Sequence, residues 1–444
     1  MIALKRALRL GEAPQVAFVG AGGKSAALFT LARQFDKPVL VTTSTHLATS
    51  QAQLEDQHLI FHQPGDIRSL QADKLRSVTV ITGEANKDRL GGLDESTLAE
   101  LSVFARQHGL PLLIEADGAR QRALKAPAEH EPAIPPFVDT VVVVAGISAL
   151  GQSIGDVYIH RPERFAELSG LKLGALVDAP SVARVLTHPQ GGLKNVPPGA
   201  RRIVLLNQAD TPELEAAARN LAVSLLPAFD AVLVAALQSS AEVIAVHEPV
   251  AGILLAAGGS ERLGKPKQLL EWKGKPFVRR IAETALAAGL SPLVVVTGAE
   301  AENVEASLAG LDVVIVRNPS WREGQSSSVK AGLAALLPKV GAALFLVVDQ
   351  PQLPAALIEA LCAQHAASLA PIVAPQVDGQ RSNPVLFDRS TFPDFLGLKG
   401  DVGGRAIFSK HPVAWLPWLD PSLAVDVDRP EDYERLLRQA GTSE

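Results

Sequence analysis

Short runs of β-branched residues alternate along most of the chain with stretches whose apolar residues recur at helical spacing. The first pair is an apolar run at 16–20 followed by the helical pattern KSAALFTLARQF. Further runs of strand length lie at 37–43, 77–83, 111–118, 140–146, 201–210 and 230–237. Such alternation is typical of a parallel sheet covered by helices on both faces.

A second series of the same kind begins at 250–258. Its later apolar runs lie at 292–298, 313–318, 342–349, 371–376 and 383–388. No low-complexity linker separates the two series, and we place the boundary at 245–249. The pattern therefore predicts an α/β protein with two domains, residues 1–246 and 250–444.

The composition excludes several classes of function. The chain has 444 residues, a formal net charge of -5 and 47% hydrophobic residues, so we expect large cores and no general nucleic-acid binding. Cys362 is the single cysteine, which excludes a disulfide within the chain and a cysteine-based zinc or iron–sulfur site. No apolar run reaches the roughly 18 residues that span a bilayer, and the N-terminus lacks a leader pattern. We expect a cytoplasmic protein without membrane or nucleic-acid partners.

The segment FVGAGGKS, residues 18–25, is the first candidate site. It contains G-x-x-G-K-S, formed by Gly20, Gly23, Lys24 and Ser25, which is a shortened form of the Walker A pattern. Backbone amides at a helix N-terminus favour a phosphate, Lys24 would neutralise outer phosphates, and Ser25 would ligate Mg²⁺. The alternative is a glycine turn that carries an exposed lysine.

Polar side chains follow two other predicted strands of this domain. Glu115 and Asp117 end PLLIEADG, where a carboxylate would hold Mg²⁺ or position water, although acids at such places are often caps. Asn207 and Asp210 lie in NQAD, which is similar to the guanine-reading N-K-x-D of GTPases with Gln208 in place of the lysine. The alternative is a turn-forming pair. The domain is thus predicted to bind a nucleotide, ATP or GTP.

The order of several segments in this domain resembles the YqeC family over residues 10–240. The segments are VGAGGKS, LVTTSTHL, IEADGARQRALKAPAEHEPAIP, HRPERFAELSG and LLNQAD. Members of this family are accessory proteins associated with selenium-dependent molybdenum hydroxylases. The resemblance implies a P-loop NTPase-like domain that binds a nucleotide and a molybdenum hydroxylase apoenzyme as its partner. It implies no defined reaction.

The loop LAAGGSERLGKPK, residues 255–267, opens the second domain. Its glycines do not fit the Rossmann pattern G-x-G-x-x-G, and Lys265 is followed by proline, which excludes a Walker loop. Glycine amides together with Arg262, Lys265 and Lys267 still suit a bound polyanion. Asp349 ends the apolar run at 342–349, where it is either a magnesium ligand or a turn residue.

The pattern L-A-A-G-x-S-x-R-L-G-x-x-K resembles the nucleotidyltransferases of molybdenum cofactor synthesis, in particular the MocA-like branch. The segments NPSWREGQSSS, LFLVVDQPQL, NPVLF, GDVGGR and VDVDRPED extend the resemblance over residues 250–438. It implies a Rossmann-like, GT-A-like domain whose loop wraps a nucleoside triphosphate. The matching nucleotide-binding positions are Ala256, Ala257, Gly258, Gly259, Ser326 and Ser328, and we expect Ser326 to Ser328 to cap the helix that follows.

The resemblance also implies individual roles. Arg262 would grip the departing pyrophosphate, and Lys267 would stabilise charge around the α-phosphorus. Asp349 would hold Mg²⁺, with Asp426 or Asp428 as the second carboxylate; the alternative for this pair is an ordinary helix start at Pro430.

These features predict Mg²⁺-dependent transfer from CTP to a molybdopterin-type cofactor, with release of pyrophosphate. Ala257 favours CTP, because the guanylyl branch usually has L-A-G-G where this chain has L-A-A-G. The acceptor phosphate is largely dianionic at neutral pH, since its second pKa is near ~6, so the reaction requires no general base. Two alternatives stay open: another phosphorylated acceptor, such as a sugar phosphate, or a nucleotide-sensing maturation factor without catalysis.

Overall fold

The structure is a computed structural model that describes residues 2–49, 54–86, 89–260 and 263–441. The chain divides into two compact units, Met1–His247 and Glu248–Glu444. Each unit is built around its own large sheet.

The N-terminal unit has a mostly parallel main sheet and two small side sheets. Its strands are β1 (Gln15–Gly20), β2 (Val39–Thr43), β3 (His46–Ala48), β4 (Gln57–Ile60), β5 (Val78–Thr82), β6 (Ala85–Asn86), β7 (Arg89–Gly91), β8 (Leu112–Glu115), β9 (Leu124–Lys125), β10 (Thr140–Gly146), β11 (Ile159–His160), β12 (Arg201–Asn207), β13 (Ala231–Ala235) and β14 (Val243–His247). The side sheets are β9–β11 and β3–β7–β6. The main sheet has the order β14–β13–β12–β10–β1–β8–β2–β5–β4, and only the edge pair β13–β14 is antiparallel among its described strands. The carboxyl ends of β1, β8, β10 and β12 therefore meet at one edge of the sheet.

Helices accompany these strands as the alternating pattern predicted. They are α1 (Leu4–Ala7), α2 (Lys24–Ala32), α3 (Glu95–Gln107), α4 (Pro162–Ser169), α5 (Ala179–Thr187) and α6 (Pro212–Leu225). Strands β2, β5, β8, β10 and β13 are buried along their full length. Such continuous apolar runs are typical of parallel strands that are covered on both faces.

The C-terminal unit has a mixed sheet. Its strands are β15 (Val250–Ala256), β16 (Glu271–Trp272), β17 (Lys275–Pro276), β18 (Leu293–Thr297), β19 (Val314–Arg317), β20 (Ala342–Val347), β21 (Ile372–Val377), β22 (Gln380–Arg381), β23 (Val385–Asp388) and β24 (Val413–Pro417). The main order is β19–β18–β15–β20–β23–β21–β22, and β24 pairs with β21. Strand β23 runs antiparallel to both β20 and β21.

The helices of this unit are α7 (Phe277–Ala287), α8 (Ala301–Ser307), α9 (Gln325–Ala334), α10 (Ala355–Ser368), α11 (Phe392–Leu396) and α12 (Pro430–Gly441). Helix α9 packs unusually close to β15, because a Cβ atom on Gly332 would lie 2.6 Å from the Cγ2 atom of Ile253. This close approach fixes where α9 begins relative to the loop that follows β15.

The α/β class predicted from the hydrophobic pattern is confirmed. The antiparallel strands β14 and β23 are the main differences, since alternation of strands and helices does not reveal the direction of a strand at a sheet edge or in a hairpin. In the described part of the chain, no helix combines the length and the apolar character that a bilayer crossing requires.

Candidate functional site

A lysine and two aspartates meet beside the carboxyl edge of the sheet in the C-terminal unit. Lys267 lies in the 3₁₀ turn Lys267–Leu269, Asp349 follows β20, and Asp428 precedes α12. The Nζ atom of Lys267 lies 2.6 Å from Oδ1 of Asp428 and 3.7 Å from Oδ2 of Asp349. Two of the predicted metal ligands and one predicted phosphate-binding lysine are therefore brought together.

Asp349 lies in surroundings that disfavour its negative charge, which suits a ligand of a cation. Burial, together with the negative charges of Asp426 and Asp428, raises the pKa of Asp349 to about 6, although Lys267 works in the opposite direction. Its Oδ1 atom is buried and accepts no hydrogen bond. A buried carboxylate oxygen without a partner costs free energy, which a bound cation would recover.

Asp426 completes this group from the segment that precedes α12. Its Oδ1 atom accepts a hydrogen bond of 2.8 Å from Nε2 of Gln350, and burial raises its pKa. The backbone amide of Val427, between Asp426 and Asp428, donates to the carbonyl oxygen of Asp349 at 3.0 Å. This backbone bond ties the C-terminal segment to the end of β20.

The residues present fit a divalent cation in donor chemistry. Carboxylate oxygens are the ligands that Mg²⁺ prefers, and Asp349 offers an oxygen that accepts no hydrogen bond. Within the residues that the structure describes, no group of three or more His, Cys, Asp or Glu side chains is already arranged to hold a metal ion. Instead, the ammonium group of Lys267 contacts two of the carboxylates.

The predicted helix start at Pro430 is confirmed, and Asp432 caps the helix by accepting hydrogen bonds from the backbone amides of Asp428 and Arg429.

The glycine loop after β15 is held in shape by two polar side chains. Gln268, which is 1% exposed, donates to the carbonyl oxygens of Ala256 at 2.9 Å and Gly258 at 2.7 Å. The hydroxyl oxygen of Ser260 accepts from the amide of Lys267 at 2.9 Å. The described parts of the loop, 255–260 and 263–267, are therefore joined, and Lys267 is placed next to the carboxylates.

Arg262, which is predicted to bind pyrophosphate, lies outside the described residues.

Gln268 was not among the predicted site residues, because no sequence motif marks a glutamine directly after Lys267 as functional. A buried glutamine directly after a glycine-rich loop is the kind of side chain that satisfies loop carbonyls.

The indole ring of Trp321 packs against the glycine loop that follows β15. A Cβ atom on Gly259 would lie 3.1 Å from the indole ring of Trp321, and one on Gly298 would lie 2.8 Å from it. The amide of Ala299 donates to the carbonyl oxygen of Ala257 at 3.0 Å. The glycines at 259 and 298 thus give the tryptophan room to pack against the loop.

The start of α9 differs from the prediction. The helix begins at Gln325 and its N-cap residue is Gly324, so the expectation that Ser326 to Ser328 cap it is wrong. The serines lie inside the first turn. Asn318 donates through Nδ2 to the hydroxyls of Ser327 at 2.9 Å and Ser328 at 3.0 Å. Ser326 and Ser328 are buried, and a role in nucleotide binding stays a prediction.

The glycine loop of the N-terminal unit follows β1 and is packed tightly. A Cβ atom on Gly20 would lie 2.2 Å from the carbonyl oxygen of Val144, and one on Gly23 would lie 2.3 Å from Nδ2 of Asn207. Both glycines have positive φ angles. The amides of Gly20, Ala21 and Gly22 donate within the protein, to Asp117, Val144 and Arg122 respectively.

Lys24 is buried among carboxylates. It is 5% exposed, so the alternative of a glycine turn with an exposed lysine is wrong. Its Nζ atom donates to the carbonyl oxygen of Gly20 at 2.8 Å and lies 3.2 Å from Asp117 and 3.9 Å from Glu115. Burial alone would lower the pKa of Lys24, but Asp117 and Glu115 raise it above its ordinary value. Ser25 donates to Glu115 at 2.9 Å, and burial raises the pKa of that carboxyl group.

The charge network extends to residues that the sequence patterns did not single out. Lys125 donates to Asp117 and to Glu131, each at 2.8 Å. Arg161 forms a two-pronged contact with Glu131, at 2.8 and 2.9 Å. Burial opposes the effect, but Arg161 and Lys125 lower the pKa of Glu131 to about 2.

Asn207 and Asp210 occupy different environments. Asn207 is fully buried, donates to the carbonyl oxygen of Gly22 at 2.7 Å and accepts from the amide of Leu237 at 3.0 Å. It therefore joins the glycine loop to the ends of β12 and β13. Asp210 is exposed and accepts from the hydroxyl of Ser239 at 2.8 Å. Recognition of guanine by this pair stays a prediction.

The two units match two different families. Residues 16–163 match the family described as YqeC protein, and residues 252–414 match the MobA-like NTP transferase domain. The YqeC protein of Escherichia coli (strain K12) is 33% identical over 197 residues, which cover 44% of this chain and 75% of that protein. The nicotine blue oxidoreductase of Paenarthrobacter nicotinovorans is 36% identical over 200 residues, which cover 42% of this chain and 96% of that protein.

A solved structure is also similar. The crystal structure of Rv0371c from Mycobacterium tuberculosis H37Rv is 30% identical, covers 43% of this chain and 97% of its own, and has a TM-score of 0.39. The family matches confirm both resemblances predicted from the sequence. The C-terminal unit has the family assignment of a nucleotidyltransferase. The chain therefore belongs to the YqeC family through its N-terminal unit and to the MobA-like NTP transferase family through its C-terminal unit.

Proposed function

We propose that the C-terminal unit transfers the cytidylyl group of CTP to the terminal phosphate of a molybdopterin-type cofactor and releases pyrophosphate. The observation that carries this proposal is the position of Lys267, which ends the glycine loop and contacts Asp428 and Asp349. A loop suited to a polyanion is thereby joined to carboxylates suited to a divalent cation. Transfer at phosphorus depends on these two features, placement and charge neutralisation.

Asp349, with Asp426 or Asp428, would hold Mg²⁺ or a similar divalent ion. When bound, such an ion supplies positive charge to the phosphate oxygens, where negative charge develops. The chain itself contributes Lys267. Its ammonium group contacts the carboxylates in this structure, and it would contact a phosphate oxygen in their place when nucleotide binds. Gln268 and Trp321 hold residues 256–259 in place, so that little reorganisation of this part of the loop is needed when the nucleotide binds.

The attacking group needs no activation by a side chain. A phosphate monoester has a second pKa near ~6 and is mostly dianionic at neutral pH. The task left to the protein is to bring two polyanions into line, which requires cations more than a base. The choice of CTP is supported by Ala257 in the L-A-A-G sequence.

The test is release of pyrophosphate with each of the four nucleoside triphosphates and with molybdopterin as acceptor. We expect activity with CTP and a loss of at least a hundredfold in kcat for Asp349→Asn. Asp394→Asn is the matched control, because Asp394 lies on α11 and also pairs with a lysine, Lys410, at 2.9 Å, but is not one of the predicted metal ligands. Activity of Asp349→Asn equal to that of the unchanged protein would remove Asp349 from the mechanism.

Other outcomes identify other functions. Pyrophosphate released only with a sugar phosphate would change the acceptor but keep the reaction. Nucleotide binding without pyrophosphate release would leave a nucleotide-sensing maturation factor. The similar protein from Paenarthrobacter nicotinovorans is named an oxidoreductase, and a redox activity would change the oxidation state of an added substrate without releasing pyrophosphate.

For the N-terminal unit, we infer a P-loop NTPase-like domain of residues 1–246 that binds ATP or GTP with Mg²⁺ and serves a molybdenum hydroxylase apoenzyme. The support is that Gly20, Gly23, Lys24 and Ser25 lie at the same sheet edge as Glu115 and Asp117. Ser25 and Asp117 are the proposed metal ligands there.

Lys24→Met tests this inference through binding of fluorescent ATP and GTP analogues. We expect weaker nucleotide binding and unchanged pyrophosphate release by the C-terminal unit. Lys37→Met is the matched control, since Lys37 pairs with Glu12 at the surface. Circular dichroism separates lost binding from lost folding, and unchanged binding by a folded Lys24→Met protein would contradict the inference.

A further inference from the structure

Two glutamine side chains join the segment that precedes α12 to the residues that follow β20. Gln350 and Gln352 lie shortly after Asp349 in the chain. Both donate through Nε2 to residues 422–426, and each forms two hydrogen bonds there. Because a side-chain NH₂ group has two donors, neither glutamine can turn away without losing a bond. The two parts of the chain that carry the proposed metal ligands are therefore fastened together by these side chains.

The two glutamines differ in the atoms that they hold. Gln352 donates to two backbone carbonyl oxygens, those of Ser422 at 3.0 Å and Val425 at 2.7 Å, and to no carboxylate in the part of the chain that the structure describes. Gln350 donates instead to one backbone carbonyl oxygen at 3.0 Å and to Oδ1 of Asp426 at 2.8 Å. Gln352 thus holds only the backbone of the segment, whereas Gln350 also holds a carboxylate.

The bond from Gln350 fixes the orientation of the Asp426 carboxylate. Gln350 is 3% exposed, and its other partner is the carbonyl oxygen of Leu423, which can only accept. The NH₂ end of the amide must therefore face both Leu423 and Asp426. A donor on Oδ1 restrains the rotation of the carboxylate, and carboxylates that bind metal ions are themselves commonly held by such a hydrogen bond.

The amide of Gln350 restrains Asp426 without neutralising it. An amide carries no charge, so the negative charge of Asp426 stays available to a cation. Asp428 is different, because the ammonium group of Lys267 lies 2.6 Å from its Oδ1 atom and balances its charge. Among the described residues, Asp426 forms no such ion pair. A divalent ion is attracted more strongly to the carboxylate that no ammonium group already contacts.

Two bonds also place Asp426 beside Asp349. The carboxylate of Asp426 is bonded to Gln350, which directly follows Asp349. The next residue, Val427, donates its backbone amide to the carbonyl oxygen of Asp349 at 3.0 Å. The buried Oδ1 atom of Asp349 accepts no hydrogen bond and can therefore coordinate a cation.

We propose that Gln350 is a positioning residue that orients Asp426 as the second ligand of the divalent ion, next to Asp349, while Asp428 serves as the partner of Lys267. This inference rests on the proposed function of the same unit, in which the ion accompanies the nucleotide. The division of labour lets the lysine leave Asp428 for a phosphate oxygen without disturbing the ligands of the ion.

The first test separates orientation of the carboxylate from attachment of the segment. Mn²⁺ is titrated against the full chain, the free ion is followed by electron paramagnetic resonance, and the C-terminal site is defined as the binding that Asp349→Asn removes. Gln350→Met and Gln352→Met each replace an amide by an uncharged side chain of similar length. We expect Gln350→Met to weaken Mn²⁺ binding at this site by about tenfold or more, and Gln352→Met by less than about threefold. Equal effects of the two variants, or an Asp349→Asn protein that binds as much Mn²⁺ as the unchanged one, would overturn the proposal.

The second test asks which aspartate binds the ion, and it does not depend on the folding of Gln350→Met. In the same titration, we expect Asp426→Asn to lose about tenfold more affinity than Asp428→Asn does, with circular dichroism showing that both proteins are folded. A smaller difference, or the reverse order, would assign no special place to Asp426 and overturn the proposal.

Failure of this inference is distinguishable from failure of the proposed function. Mn²⁺ binding is measured without nucleotide and without acceptor, whereas the proposed function is tested by pyrophosphate release. If the variants bind Mn²⁺ in the expected order but no pyrophosphate is released, the role of Gln350 stands and the transferase reaction falls. If pyrophosphate is released but Gln350→Met and Gln352→Met bind Mn²⁺ equally, only the role of Gln350 falls.

Discussion

Replacing Lys267 with methionine tests whether its ammonium holds the place that a divalent ion takes when nucleotide binds. Methionine keeps most of the length of the side chain and removes its charge. Without the ammonium, Asp349 and Asp428 lose the positive charge of Lys267, which lies 3.7 Å and 2.6 Å from them. Their affinity for a divalent ion in the absence of nucleotide should therefore rise.

The size of the effect follows from distance and exposure. Two unit charges 4 Å apart interact by roughly 1 kcal/mol in water and about 4 kcal/mol near a protein surface. The side chains of Lys267, Asp349 and Asp428 are 13%, 25% and 48% exposed, so solvent screens the interaction considerably. A gain of about 1–2 kcal/mol is expected, which corresponds to roughly five- to thirtyfold tighter binding of the ion.

The assay is titration with Mn²⁺ followed by electron paramagnetic resonance of the free ion, first without nucleotide and then with a non-hydrolysable CTP analogue. Lys267→Met should bind the ion more tightly in the first titration and the analogue more weakly in the second. Lys275→Met is the control, since Lys275 forms a comparable ion pair of 2.6 Å with Glu283 outside the loop. An unchanged or weaker affinity for Mn²⁺ without nucleotide would refute the idea that the lysine and the ion compete.

Four further predictions concern single residues. A Cβ atom on Gly258 would meet no atom of the described residues within 4 Å, so Gly258→Ala should leave the melting temperature unchanged and weaken the binding of CTP, measured by calorimetry, because the nucleotide is proposed to approach this backbone. Gly298→Ala should instead lower the free energy of unfolding by about 1–3 kcal/mol through its clash with Trp321. The pKa of Glu131 is about 2 in the folded protein and 4.5 ordinarily, so its contribution to the free energy of unfolding is fully present above pH 4.5 and is lost as the pH falls towards 2. Denaturant titrations should therefore show Glu131→Gln to be less stable than the unchanged protein by about 1–3 kcal/mol at pH 7, and this difference should vanish near pH 2. Burial raises the pKa of Cys362 to about 12, so a thiol reagent at pH 8 should label it slowly in the native protein and quickly after denaturation.

The sequence predicted the parts of the fold that depend on local periodicity. Continuous apolar runs marked the buried strands, and polar residues directly after them marked the sheet edge where Asp349 and Glu115 lie. Strand direction was harder to predict, because an apolar run such as β23 has the same sequence pattern in a parallel and in an antiparallel pairing. The start of α9 was misplaced for a related reason, since the serines are good caps by type but Gly324 takes the non-helical conformation before them.

The polar contacts within the sites were least predictable. Gln268 bonds two carbonyl oxygens of its own loop, and Lys125 reaches Asp117 and Glu131 from a different part of the chain. Such pairings are set by tertiary packing, which brings together residues whose types and spacing carry no motif. Asp349 and Glu115 lie at strand ends and Lys24 and Lys267 lie at glycine loops, where geometry and sequence pattern coincide, whereas Asp428 lies just before α12.

The buried charges of the N-terminal unit impose a condition on anything that enters its loop. Lys24, Lys125 and Arg161 are matched in number by Glu115, Asp117 and Glu131, so these six groups sum to zero. An anion arriving alone would add an unbalanced negative charge to these six groups, most of which are buried, and an unbalanced buried charge is costly. A polyphosphate accompanied by its own counterion would avoid that cost, so we expect the nucleotide proposed for this loop to bind together with its cation and not as a bare anion.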